Sequence, residues 1–239
     1  MENSKYEKKE IISGRMNFNE MRHHLIPVFF VSCFFVGISF WGAHANRFGW
    51  DNLSAFWKNI FYLEAVLFLV QFIIILFCRV ESFFNLKIVS LAITFYMFKL
   101  SLEPFLLMVM IFIDKGVYGT YGSFILLIIT LGFLFHVLNL IRIIKELKIR
   151  TPKEKNSKKN HRDWYKIGSL LLLVVIVGLI LDTGLLGDGE LLFGIIISTV
   201  TYIGILIGLW DYETTVYLIW RFPEYIKSDL ECNRKNISK

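Results

Sequence analysis

Residues 86–114 read LKIVSLAITFYMFKLSLEPFLLMVMIFID, and this stretch decides the fold. It is apolar enough to cross a membrane, yet Lys99, Glu103 and Pro104 lie near its middle. Neither half can span a bilayer alone, because each rises only about 13 to 16 Å as a helix against a hydrocarbon core of roughly 30 Å. We therefore predict one continuous transmembrane helix with Lys99 near the bilayer midplane. A re-entrant hairpin is the alternative.

Composition places the whole chain among polytopic membrane proteins. Of its 239 residues, 55% are hydrophobic and 16% are aromatic, and the mean hydropathy is +0.56. The apolar residues come in runs of about 20, the length that a membrane-spanning helix needs. The predicted fold class is an all-α polytopic membrane protein with six transmembrane helices. The net charge of +6 comes from Lys and Arg residues in the segments that flank the spans, so no nucleic-acid partner is expected.

The alternation of polar and apolar stretches divides the chain into five parts. They are a polar arm at 1–24, a first membrane part at 25–144, a basic linker at 145–166, a second membrane part at 167–222 and a polar tail at 223–239. The predicted helices cover roughly 25–45, 60–78, 86–113, 123–144, 167–186 and 191–210. An amphipathic segment follows the last of them.

Lysine and arginine are distributed unevenly between the two predicted sides. The arm carries five, the turn at 79–87 two, the stretch 142–166 ten and the chain from Arg221 onward five, whereas the other side has only Arg47, Lys58 and Lys115. Because short cytoplasmic loops are enriched in these residues, both termini are predicted to be cytoplasmic in a multi-pass protein of the plasma membrane. The stretch 142–166 is also expected to attract anionic lipid, or to dock a soluble partner.

Ionisable residues inside the spans are the candidate ligand-binding residues, because each costs at least about 2.5 kcal/mol at the bilayer centre. At about 1.5 Å per residue, Glu64, Glu103 and Asp182 fall at similar depth in the outer half of the membrane, with Lys99 one turn below them. We predict an acidic vestibule that is open to the outside and has a lysine at its floor. The alternatives are that Lys99 and Glu103, four residues apart, satisfy each other within one helix, or that they only hold the bundle together.

The fourth predicted helix adds His136 and Asn139, which lie three residues apart on one face. Both are kept as candidate ligand-binding residues. The simpler interpretation is that they form hydrogen bonds to another helix, since polar side chains often join helices inside a membrane.

A stripe of small residues runs along the last predicted helix, and it predicts close helix packing. Its members at helical spacing are Gly194, Ser198, Thr201, Gly204 and Gly208. The contact could lie within the bundle or between two copies of the chain in a homo-oligomer. On this basis Gly208→Leu is expected to weaken the protein more than Leu209→Ala.

The common sequence motifs for nucleotide binding, metal-dependent proteolysis and serine hydrolysis are missing from the chain. It contains no GxxxxGK[ST], HExxH, GxSxG or GxGxxG, and Cys33, Cys78 and Cys232 do not have the spacing of metal ligands. We therefore expect no cofactor, no metal and no ATP hydrolysis by the chain itself. An intramembrane enzyme acting on lipid or peptide is kept as an alternative, because active sites inside membranes are assembled across helices and leave little local signature. It is the least favoured of the three function classes.

Two function classes remain ahead of an enzyme. The first is a permease or permease subunit for a small solute or peptide, which six spans and a basic cytoplasmic linker suit. Such a protein would depend on a cytoplasmic ATPase, on another subunit or on ion coupling. The second is a membrane immunity or regulatory protein that captures a cationic peptide from outside.

Overall fold

The computed structural model describes residues 18–45, 47, 49–80, 82–149, 189–221 and 223–224. Over these residues the chain forms six helices and no strand. They are α1 Phe18–Ala45, α2 Gly49–Asn52, α3 Ala55–Phe77, α4 Phe83–Asp114, α5 Tyr118–Ile149 and α6 Gly189–Arg221. All except the single turn α2 are long and apolar enough to cross a membrane, so the all-α membrane class is confirmed for the described chain.

Several predicted parts lie outside the described residues. They are most of the N-terminal arm, residues 150–166 of the basic linker, the predicted span at 167–186 with its Asp182, and the tail from residue 225.

Helix α4 is continuous from Phe83 to Asp114, so the expectation of one long helix is confirmed and the re-entrant hairpin is wrong. It begins at Ser82, whose hydroxyl oxygen accepts a hydrogen bond from the backbone N–H of Asn85 at 3.1 Å. It ends before Gly116, whose φ of 70° lies in the left-handed region that favours glycine. Pro104 lies inside the helix without ending it.

The predicted span at 191–210 and the amphipathic segment after it form a single helix, α6. The predicted span ended before Asp211, because this is the first charged residue after the apolar run. In the structure Asp211 is exposed, while Thr214, Leu218 and Ile219 continue the buried face of the helix. One exposed acid on the outer side of a helix does not interrupt an amphipathic pattern.

Helix α4 is also the centre of the bundle. It packs most extensively against α1 and α6, and it contacts α3 and α5 as well. Of its 32 residues, 17 are buried. Helix α3, by contrast, turns most of its apolar side chains outward, as expected for a helix that faces lipid.

One end of the bundle contains the start of α1, the end of α3 and the start of α4. Met21, Cys78 and Leu86 belong to one buried cluster there. At the other end of the same helices, Gly42 of α1 lies near Met110 of α4. Helices α1 and α4 therefore run parallel, and α3 runs antiparallel to both.

Helix α6 runs antiparallel to α4. The hydroxyl of Ser198, early in α6, donates to the carbonyl of Pro104, late in α4, and the ammonium of Lys87, early in α4, lies 4.4 Å from the ring centroid of Trp220, late in α6. The end of α6 therefore joins the end of the bundle where α1 begins. We call this end the basic end, because Arg22, Arg79, Lys87 and Arg221 all lie on it.

Helices α5 and α6 run in the same direction. The Tyr202 hydroxyl of α6 donates to the carbonyl of Ile129 at 2.8 Å, and further along both helices His136 lies 2.9 Å from Glu213. Parallel neighbours cannot be joined by a short turn. Ile149 and Gly189 therefore lie at opposite ends of the bundle.

Part of the small-residue stripe of α6 contacts α4. A Cβ atom added at Gly194 would lie 2.4 Å from Sδ of Met108, so this glycine marks a close approach of the two helices. Ser198 is buried one turn further along, and Thr201 is half-buried.

The rest of the stripe has no described contact. No described atom lies within 4 Å of a Cβ atom added at Gly204 or Gly208, so the packing role of these two glycines stays a prediction. Leu209 is only 1% exposed. In the described chain Leu209→Ala therefore removes more packing than Gly208→Leu disturbs, which reverses the ranking expected from the sequence.

We predict that Gly132→Ala destabilises the protein by about 1 to 3 kcal/mol, the usual cost of overpacking. A Cβ atom at Gly132 would lie 2.2 Å from the ring of Tyr202, which is fully buried, hydrogen-bonded to Ile129 and packed against Phe105. The ring therefore has little room to move. The measurement is the melting temperature of the purified protein in detergent.

Gly37→Ala in α1 is the matched control, because no described atom lies within 4 Å of a Cβ atom at that position. Alanine favours a helix over glycine by about 1 kcal/mol, so this control should melt at the same temperature as the native protein or higher. Equal melting temperatures for the two variants would contradict the close contact of α5 with α6.

Candidate functional site

A cluster of charged side chains lies in the interior between α1, α3 and α4. The ammonium nitrogen of Lys99 is 2.5 Å from Oε2 of Glu64 and 2.5 Å from Oε1 of Glu103. It also donates to the hydroxyl oxygen of Ser32 at 2.8 Å, and that hydroxyl in turn donates to Glu103. We call Lys99, Glu64, Glu103 and Ser32 the charge cluster.

Three helices bring these side chains together. Lys99 and Glu103 are one turn apart on α4, so they share its face toward α1 and α3. Helix α1 supplies Ser32, and α3 supplies Glu64 together with Phe68 one turn later. The ring centroid of Phe68 lies 4.3 Å from the Lys99 nitrogen, which adds a cation–π contact.

The charge cluster is largely buried. Lys99 is 7% exposed and Glu103 is 2% exposed, whereas the Glu64 side chain is 12% exposed. Toward the end of the bundle opposite the basic end, Phe61 lies one turn before Glu64 and packs against Phe40 and Trp50 at ring-centroid distances of 5.6 Å and 5.7 Å. Helix α2 places Trp50 there. Aromatic rings therefore lie next to the charge cluster on that side.

The charges of the cluster do not balance when all three groups are ionised. One ammonium then faces two carboxylates, which leaves one negative charge inside a membrane-spanning bundle. Such a charge costs several kcal/mol unless a proton or another cation neutralises it. Oε2 of Glu103 is buried and has no hydrogen-bond partner among the described residues, so it is one place where a proton can reside.

The structure brings together three of the four residues predicted to form an acidic vestibule. Glu64, Glu103 and Lys99 are in direct contact, so the matched depths estimated from the sequence correspond to real proximity. Asp182 lies outside the described residues. Lys99 and Glu103 do pair within α4, but Glu64 and Ser32 from two other helices complete the site.

His136 and Asn139 do not join the charge cluster. His136 pairs with Glu213 of α6, which is the interhelical contact expected from the sequence. The side-chain amide of Asn139 donates to the carbonyl of Phe135 in its own helix at 3.0 Å. Within the described chain, no group of three or more His, Cys, Asp or Glu side chains is placed to hold a metal ion.

Sequence reasoning missed Ser32 and Glu213. Ser32 is a single hydroxyl within the apolar run VFFVSCFF, and a lone serine in a span carries little signal. Glu213 was treated as part of a segment lying outside the membrane helices. A search for acids along the full length of α6 would have paired it with His136.

We predict that Lys99→Met destabilises the protein by about 3 to 5 kcal/mol, because it leaves two carboxylates buried without their cation. The double variant Lys99→Met with Glu103→Gln should be less damaging than Lys99→Met alone, since it also removes one of these carboxylates. The measurement is a double-mutant cycle on the melting temperature and the yield of folded protein.

The control for this cycle is Lys58→Met, which removes a half-buried lysine near the start of α3 whose ammonium donates to the carbonyl of Asp51. It should change stability by less than about 1 kcal/mol. Strictly additive effects at positions 99 and 103 would show that the two side chains do not depend on each other.

No protein-family model, curated protein or solved structure matches the chain. The geometry of the charge cluster is therefore the observation on which a function can rest.

Proposed function

We propose that the chain is a multi-pass permease, or a permease subunit, of the plasma membrane that moves a small solute or peptide without an ATPase of its own. The observation that carries this proposal is the charge cluster in the interior of the bundle. A purely structural contact at this place would be formed at lower cost by apolar side chains of similar volume. Ionisable residues kept inside a membrane are typical of ion and substrate pathways.

The chemistry of the charge cluster suits coupling to a cation. With all three groups ionised, the cluster can accept one proton on a carboxylate, or one cationic group that competes with Lys99 for Glu64 and Glu103. Either event brings the net charge of the cluster to zero. A site that changes charge in this way can favour different helix arrangements when empty and when occupied.

The directions of the helices support six spans. Because α5 and α6 are parallel, Ile149 and Gly189 lie at opposite ends of the bundle, which supports the proposal of a further span at 167–186. The start of α1 and the end of α6 then lie at the basic end. The excess of Lys and Arg in the segments that belong to this end supports a cytoplasmic location for both termini.

We predict that single cysteines at Ser54 and Gly187 react with a membrane-impermeant thiol reagent in intact cells, because both positions belong to the side with few basic residues. A cysteine at Ser157, in the basic linker, should react only after the cells are opened. Labelling at 157 in intact cells would contradict the proposed orientation.

Coupling to a cation can be tested with the purified protein in liposomes. Under an imposed pH gradient and membrane potential, the native protein should carry protons or another monovalent cation inward, and Glu64→Gln should reduce this flux at least about tenfold if it removes an acceptor worth about 1.4 kcal/mol. Asp51→Asn changes an exposed acid in α2 and should leave the flux unchanged.

Pull-down from membranes tests the subunit form of the proposal. A cytoplasmic ATPase that copurifies with the chain would identify it as a permease subunit. Protection of cells from an added cationic peptide, without any flux, would instead identify the immunity or regulatory protein considered above. Turnover of a lipid or peptide that is lost in Glu64→Gln would identify an intramembrane enzyme.

A further inference from the structure

A second buried titratable pair lies between α5 and α6, away from the charge cluster. Nε2 of His136 is 2.9 Å from Oε1 of Glu213, and the side chains are 3% and 15% exposed. The indole of Trp210 lies parallel to the imidazole, with an interplanar angle of 7° and a ring-centroid distance of 6.2 Å. We call His136 and Glu213 the α5–α6 pair.

The outer atoms of the pair have no compensating contacts. Nδ1 of His136 and Oε2 of Glu213 are buried and have no hydrogen-bond partner among the described residues. Neighbouring polar groups are already used within their own helices. The hydroxyls of Thr214 and Thr215 donate to carbonyls of α6, and the amide of Asn139 donates to a carbonyl of α5.

The charged groups next to the pair along its own two helices are exposed. They are Asp211 on α6, and Arg142 and Lys145 on α5. The elements packed against these two helices are α4, and α1 through the contact of the exposed His24 with Tyr212. On α4, Lys99 and Glu103 are engaged in the charge cluster with α1 and α3.

The net charge of the pair depends on how many protons it holds. Neutral imidazole beside a carboxylate leaves one negative charge in an apolar surrounding, whereas imidazolium beside a carboxyl group leaves one positive charge. With a single added proton the pair is neutral, either as imidazolium with carboxylate or as imidazole with carboxylic acid. Both neutral forms keep the hydrogen bond between Nε2 and Oε1, and in the first form it is charge-assisted.

We propose that His136 and Glu213 form a second binding site, whose ligand is one proton shared between α5 and α6. The proton is taken from a hydronium ion of the solvent: one O–H bond of the hydronium breaks, which leaves water, and an N–H bond to His136 or an O–H bond to Glu213 forms. The site lies on a different side of α4 from the charge cluster. This inference does not depend on the permease proposal, because it follows from the geometry of the α5–α6 pair alone.

The direct test is spectroscopy of the full chain in lipid nanodiscs at about pH 7.5, one unit above the ordinary pKa of histidine near 6.5. With isotope-labelled histidine, His136 should show two N–H groups. Alternatively, the infrared spectrum should contain a carboxylic acid carbonyl band that disappears in Glu213→Gln. Neutral imidazole together with an ionised Glu213 would overturn the proposal. The spectrum of His136→Gln assigns the signals of His136 by their absence.

The second measurement is the melting temperature as a function of pH. If the folded pair keeps its proton above about pH 6.5, where an unfolded histidine loses its own, the melting temperature of the native protein should fall more steeply between about pH 6 and about pH 9 than it would without the pair. The double variant His136→Gln with Glu213→Gln should lose this extra slope, and Asp211→Asn should behave like the native protein. The same slope in the native protein and the double variant would overturn the shared proton. If the double variant does not fold, the spectra of the native protein and Glu213→Gln decide the question.

Discussion

The contact of Lys99 with Glu64 and Glu103 is the interaction on which the rest of the described bundle depends. An ammonium group near the centre of a membrane-spanning helix is tolerated only when its charge is compensated. Glu103 provides part of this compensation from within α4, and Glu64 of α3 provides the rest. Ser32 of α1 bridges the ammonium and the carboxylate of Glu103. The positions of three helices are therefore constrained by one group of side chains.

The central place of α4 follows from the same constraint. A helix with two charged residues in its middle cannot face lipid there, so it is surrounded by other helices, whereas α3 exposes most of its apolar surface. On the other side of α4 the packing has a different character. Tyr202 of α6 fills the space left by Gly132 of α5, and the His136–Glu213 pair joins the same two helices further along. On this side of α4, a tight contact at a glycine and a buried ionisable pair thus join the same two helices.

Hydropathy predicts the helices well because each span needs about 20 apolar residues that are consecutive in the sequence. Five predicted spans have counterparts in the described helices, and the sequence also placed Glu64 and Glu103 at matching depth, with Lys99 one turn below them. Ser32 and Glu213 were not predicted, since partners across helices depend on rotation and tilt that a single sequence does not record. The amphipathic end of α6 was separated from its helix for a related reason. An exposed acid such as Asp211 resembles a membrane boundary in the sequence, although the buried face continues past it.

The central claim is that Lys99 is charged and lies between two carboxyl groups inside the bundle. Solid-state NMR of the protein in lipid, with labelled lysine and glutamate, tests it most directly. The account predicts an ammonium signal for Lys99 at neutral pH, with through-space contacts to the carboxyl carbons of both Glu64 and Glu103. A neutral amine, or contact with Glu103 alone, would contradict it.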